Sequence, residues 1–239
     1  MLPSAQKLRE HLQGLYNEEK KDILQRFFKT GIGEYGEGDL FLGITVPQIR
    51  QAIKPYYSLP LEEIEQIINS QWHEVRLAAI LILVKQAHNA DAKKAHDIYT
   101  FYMNHVDDIN NWDLVDLSAP QIVGNYLMDK DRSVLLTWAQ NNHLWLQRIA
   151  IVATHSFIKQ KQPDMTFQIS DIYLHHPHDL IQKATGWMLR EVGKKSGQEI
   201  LMSYLTDHKK YQLMPRTMLR YAIERFPEDV RQKFLKGQA

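Results

Sequence analysis

Apolar residues recur at three- and four-residue spacing along almost the whole chain. No stretch sustains the apolar and polar alternation, flanked by hairpin turn signals, that a half-buried strand needs. The pattern predicts helices throughout. Short polar stretches at residues 69–72, 88–91, 107–111, 129–131, 162–164 and 175–179 punctuate them, at intervals that suit pairs of helices.

Laying the second helix of each pair on the next brings Arg76-Leu77-Ala78, Trp112-Asp113-Leu114, Arg148-Ile149-Ala150, Lys183-Ala184-Thr185 and Arg220-Tyr221-Ala222 into register, with offsets of 36, 36, 35 and 37 residues. Near-equal intervals of helix-turn-helix length are the signature of an all-α, HEAT-like helical repeat superhelix, an α-solenoid. A single repeat domain over residues 1–239 is expected. The first aligned position then reads Arg76, Trp112, Arg148, Lys183 and Arg220, and one turn later stand Ile80, Asp116, Val152, Trp187 and Glu224. Cations, two indoles and two carboxylates on one stripe suit a groove that meets a phosphate backbone better than they suit a core.

Charge sharpens that reading. The formal net charge is only +1, but residues 1–143 carry 14 Lys+Arg against 19 Asp+Glu and residues 144–239 carry 15 against 9. A basic C-terminal half favours an anionic polymer as partner. The chain has no cysteine, which excludes a disulfide framework, a thiolate metal site and a cysteine nucleophile. The longest apolar run, residues 77–84, is far short of a membrane span, and the charged N-terminus does not read as a signal peptide. A cytoplasmic monomer without metal or cofactor is expected.

Three local features add to the pattern. Residues 31–36 spell G-x-G-x-x-G, but they follow a helical segment rather than a strand, and Glu34 and Glu37 would repel phosphate, so residues 31–39 read as an inter-helix loop. His175, His176 and His178 sit at a turn where Asp179 can cap the next helix, without a fixed pair of ligands one helical turn apart. Pro120, four residues after Asp116, removes the amide that the Asp116 carbonyl would accept and predicts a kink there.

The segments 111–116 with Pro120, 144–148 and 181–191 resemble the AlkD family of alkylpurine DNA glycosylases, and the resemblance runs over essentially the whole chain. It implies a HEAT-like fold and hydrolysis of the N-glycosidic bond of cationic 7-methylguanine or 3-methyladenine in double-stranded DNA, without the base flipping usual for glycosylases. Carried over residue by residue, it makes Asp116, Trp112 and Trp187 catalytic and Arg148 a phosphate contact; the stripe adds Lys183, Arg76 and Arg220, and the segment 181–191 adds Arg190, as further DNA-binding cations. The chain departs from the family pattern at Phe27 and Phe28, where some relatives carry tyrosine, and at Asn111, where others carry an aromatic. The chemistry is consistent with the stripe. An alkylated purine leaves already charged, so one carboxylate that steadies the sugar cation suffices. No second acid or histidine stands at an equivalent stripe position near the two tryptophans. The competing reading is a HEAT-like module that grips nucleic acid or protein without chemistry.

Overall fold

Local sequence sets where the helices start. Ser4, Asn17 and Asp91 each accept a hydrogen bond from the backbone amide three residues on, and Thr45 with Gln48 forms a capping box, so each of these residues opens a helix. The computed structural model describes residues 3–239, which divide into two units, residues 3–122 and 123–239.

Unit 1 contains α1 (Ala5–Gln13), α2 (Glu18–Phe27), α3 (Val46–Ala52), α4 (Leu61–Ile68), α5 (His73–His88), α6 (Ala92–Asn104) and α7 (Trp112–Ala119). Its centre is α5, whose polar first turn leads into an apolar run from Leu77 to Val84, and which is buried without a break from His73 to Leu83. Helices α3, α4, α6 and α7 pack around it. By contrast α2 buries no residue within its span, and is tied at its start by the Asn17 amide, which donates to the Leu42 carbonyl at 2.9 Å.

Unit 2 contains α8 (Ser133–Ala139), α9 (Leu144–Ala153), α10 (His155–Lys159), α11 (Asp164–Ile172), α12 (Asp179–Lys195), α13 (Gln198–Thr206), α14 (Lys210–Leu213), α15 (Arg216–Ala222) and α16 (Glu228–Leu235). Here α12 is the hub, packed by α9, α10, α11, α13 and α15. Its closest neighbour is α15, because Gly186 has no side chain to hold the Met218 carbonyl away.

The fold is an all-helical repeat of the α-solenoid class, as the periodicity predicts. The five aligned positions fall in α5, α7, α9, α12 and α15, which follow α4, α6, α8, α11 and, across the short α14, α13. Second helices pack on second helices within each unit, α5 on α7, and α9 and α15 on α12. Among the described residues there is no strand, only an isolated bridge between Leu40 and Trp72. The break expected at Pro120 is a five-residue π-helical turn, residues 120–124, that follows α7 directly. No described helix is long and apolar enough to cross a membrane.

Candidate functional site

In unit 1 the candidate residues are set by the first turn of α7. The Asn111 side chain caps the helix, its Oδ1 accepting from the Trp112 amide at 2.8 Å. Trp112 and Asp116, one turn apart, are both half-buried, whereas Asp113 between them points inward and is buried. The indole rests on aromatic neighbours: Phe28 stacks on it at 5.2 Å with planes 21° apart, and Phe27, an exposed ring, meets its edge at 5.8 Å. Below Asp116 lies Tyr102, whose hydroxyl is 2.7 Å from Ser118 Oγ. Burial, and then the Asp116 charge, push the Tyr102 hydroxyl well above the usual tyrosine range, so it stays protonated.

Behind this turn is a buried polar cluster that the pattern of the sequence does not disclose. His73, in the first turn of α5, lies with Nε2 2.8 Å from Asp113 Oδ2 and Nδ1 3.4 Å from Asp39 Oδ2. Arg76 donates to Asp39 Oδ1 at 2.6 Å, to Asn110 Oδ1 at 3.0 Å and to the Ser70 carbonyl at 2.6 Å. Burial alone would raise the Asp39 carboxyl, but the hydrogen bond from His73 and the charges of Arg76 and His73 hold it below the usual range. Glu74 completes the corner by accepting the Leu42, Gly43 and Ile44 amides at 2.8 to 3.1 Å.

Unit 2 holds the remaining candidates. Arg148 is buried in α9, its Nη1 donating to the Leu180 carbonyl at 2.5 Å. Lys183 pairs with Asp179 at 2.6 Å, Arg190 pairs with Glu224, and Arg220 is exposed on α15. Trp187 is half-buried, and His155 of α10 lies beside it with ring centroids 6.1 Å apart. The aligned stripe holds no histidine near the tryptophans; His155 comes from outside the register. Burial, and then Lys159, hold its ring below the usual histidine range, so it is neutral at pH 7 and is not a ready proton donor.

The structure corrects several expectations. Arg76, expected at the surface to meet phosphate, is an interior partner of Asp39 and 4% exposed. The stripe is therefore not one exposed face, since Arg76 and Arg148 are buried while Arg220 is in solvent. Helix α12 is capped by His178, whose Nδ1 accepts from the Leu180 amide at 3.2 Å, rather than by Asp179, which is its first residue and partners Lys183. In the glycine loop at residues 31–39 the amides of all three motif glycines are already taken, Gly31 by Glu34 at 3.0 Å, Gly33 by Glu37 at 2.8 Å and Gly36 by the Lys29 carbonyl at 3.1 Å. The loop's last residue, Asp39, is the one that matters to the site.

The profile of the DNA alkylation repair enzyme family matches residues 8–226 of the chain. A solved structure described as a predicted DNA alkylation repair enzyme from Enterococcus faecalis superposes with a TM-score of 0.68. That match covers 89% of this chain and 97% of the other at 16% sequence identity, which speaks to the fold alone. No curated protein matches the chain.

Proposed function

The chain belongs to the DNA alkylation repair enzyme family, and from that membership we propose that it is a DNA glycosylase. Its substrates are cationic alkylated purines in duplex DNA, of the 7-methylguanine and 3-methyladenine type, and it needs no metal. The observation that carries the reading is the division of labour on α7. Asp113 is locked inward against His73, while Asp116, one turn after Trp112, stays half-exposed on the same face as the indole. A carboxylate beside an electron-rich ring suits a sugar that develops positive charge as the base leaves. Asp116 orients the attacking water or balances that charge. Trp112 walls the deoxyribose beside Asp116; in unit 2, Arg148, Lys183, Arg190 and Arg220 serve the phosphates and Trp187 is a further indole for the DNA. Unit 2 carries 17 Lys+Arg against 11 Asp+Glu, in keeping with a phosphate-binding role.

The test is release of free 7-methylguanine from methylated duplex DNA by purified protein in the presence of a chelator. Wild type should release it, and should leave uracil and hypoxanthine, neutral bases that need protonation, in place. Asp116→Asn should slow release on the order of a hundredfold or more, with DNA binding largely kept. Tight DNA binding with no base release would favour a non-catalytic HEAT-like binding module, and efficient uracil release would refute the charge argument.

A further inference from the structure

Five acidic or basic side chains lie inside unit 1 where the proposed chemistry makes no direct use of them, Asp39, His73, Glu74, Arg76 and Asp113, all 7% exposed or less. Each ring nitrogen of His73 faces a carboxylate, Asp39 on one side and Asp113 on the other. Only the imidazolium can donate at both positions. With Arg76 on Asp39, each of the two carboxylates that face His73 then has a cationic partner, while Glu74 is held separately by backbone amides. Removing the His73 proton would leave a carboxylate facing a ring lone pair away from water, a costly arrangement.

The cluster joins the parts of the chain that hold Trp112. Asp39 accepts from the side-chain amides of Asn110 at 3.3 Å and of Asn111, the cap of α7, at 3.5 Å. Asp113 binds His73 through one oxygen and, through the other, accepts from the Leu114 amide at 2.9 Å. The His73 ring lies 4.6 Å from Phe41 and 4.9 Å from Phe28, and Phe28 stacks on Trp112. One buried cation therefore ties together the first turn of α7 and the ring that supports the indole.

We infer that His73 is a positioning residue for Trp112: as an imidazolium bound to Asp39 and Asp113, it fixes the start of α7 and the Phe28 ring on which the indole rests. It acts on a ligand only through Trp112. The inference rests on the reading of Trp112 as part of the DNA site, but the placement of the indole is measurable without DNA. The charged groups around the ring are Asp39 from the loop before α3, Arg76 and the neighbouring Glu74 on α5, and Asp113 on α7; just past the end of α2 it meets Phe28. Burial opposes the charge and so does Arg76, yet Asp113 and the bond to Asp39 push the ring up to about 9. Below that pH the indole is held.

The experiment is fluorine NMR of protein labelled with fluorotryptophan, the Trp112 signal being assigned with Trp112→Phe. In the wild type the Trp112 signal should move with a midpoint near pH 9, a transition that Trp138, Trp145 and Trp187 do not share. Asp113→Asn should lower that midpoint by about one pH unit or more, because it removes the charge that favours the imidazolium, and His73→Gln should abolish the transition. If His73→Gln does not fold, the wild type and Asp113→Asn carry the test alone. Single-turnover release of 7-methylguanine should fall roughly tenfold through the same transition, with DNA affinity unchanged, as expected of a displaced wall of the site. A Trp112 signal that stays flat across the range while the protein remains folded would overturn the inference, as would a midpoint indifferent to Asp113→Asn. A fluorine transition in a protein that releases no base would uphold the positioning and overturn the proposed activity instead.

Discussion

Gly186 lies on α12 immediately before Trp187, at the point where α12 meets α15. A Cβ built there would stand 2.4 Å from the Met218 carbonyl oxygen and 2.5 Å from the Tyr221 Cβ. Both belong to the body of a helix anchored by buried Met218, Leu219 and Ala222, so nothing flexible can move aside. Two effects of Gly186→Ala oppose each other. Alanine favours the helix by about 1 kcal/mol, while overpacking costs about 1–3 kcal/mol and more when backbone must shift. With a carbonyl as the obstacle the overlap wins, for a net loss of about 2 kcal/mol. In a chain of this size that lowers the melting temperature by roughly 4–8 °C. Gly193→Ala, two turns on along α12, is the control. There the Cβ meets only Leu201 Cδ2 at 2.9 Å, the end of a side chain that can rotate, so stability should stay within about 0.5 kcal/mol of wild type. Urea and thermal unfolding followed by helical circular dichroism decide the matter. A Gly186→Ala protein as stable as wild type would refute the argument, and equal losses in both variants would show that any alanine in α12 is harmful and that the contact with α15 is not the cause.

Two further outcomes follow from the charges. The His73 ring is raised from 6.5 to about 9 on folding, so its contribution is fully present below about pH 6.5 and is lost as pH rises through about 9, on the order of 3 kcal/mol in unfolding free energy; Asp39, lowered on folding, contributes above its unfolded value near 3.8 and loses that as pH falls through its folded value, and urea midpoints across pH measure both limbs. Arg220→Ala, at an exposed position, should leave the melting temperature unchanged while weakening duplex binding for every sequence and reducing the slope of log affinity against log salt by about one.

The repeat was legible in the sequence because helical periodicity and a recurring interval are properties of one dimension, and packing preserved both: each aligned triplet lies in the second helix of a pair. Depth was not legible. Arg76 and Arg220 occupy equivalent register positions, yet one lies at the centre of unit 1 and the other in solvent, because what covers a position is decided by loops that follow no period. Asp39, which neutralises Arg76, lies 37 residues before it, at the end of a segment that reads as a flexible loop. The His73 cluster was hidden for the same reason. Its hydrogen bonds span 34 and 40 residues, and a histidine and a glutamate at a helix start look like ordinary solvated first-turn residues. The Trp112 and Asp116 pair was legible because both residues share one helix and one face. His155 was not, since α10 is a short helix outside the repeat.

Burial also changes what a substitution at Arg148 can mean. The stripe taken alone predicts that Arg148→Ala weakens DNA binding and leaves the fold intact. In the structure Arg148 is 5% exposed and its guanidinium donates to the Leu180 carbonyl, in the first turn of α12. Truncation leaves that acceptor without its partner and opens space in the core, which together cost about 2–4 kcal/mol. Weaker binding by Arg148→Ala therefore does not by itself identify a phosphate contact, because a smaller folded fraction lowers apparent affinity as well. The salt dependence separates the two causes. Partial unfolding scales the affinity by the same factor at every salt concentration and leaves the slope of log affinity against log salt unchanged, whereas loss of a phosphate contact lowers the slope by about one. Measured at a temperature well below its own melting point, Arg148→Ala should show the lowered slope. An unchanged slope alongside a lowered melting temperature would make Arg148 a structural residue of α9 and α12, and would leave the phosphate contacts of unit 2 to its exposed cations.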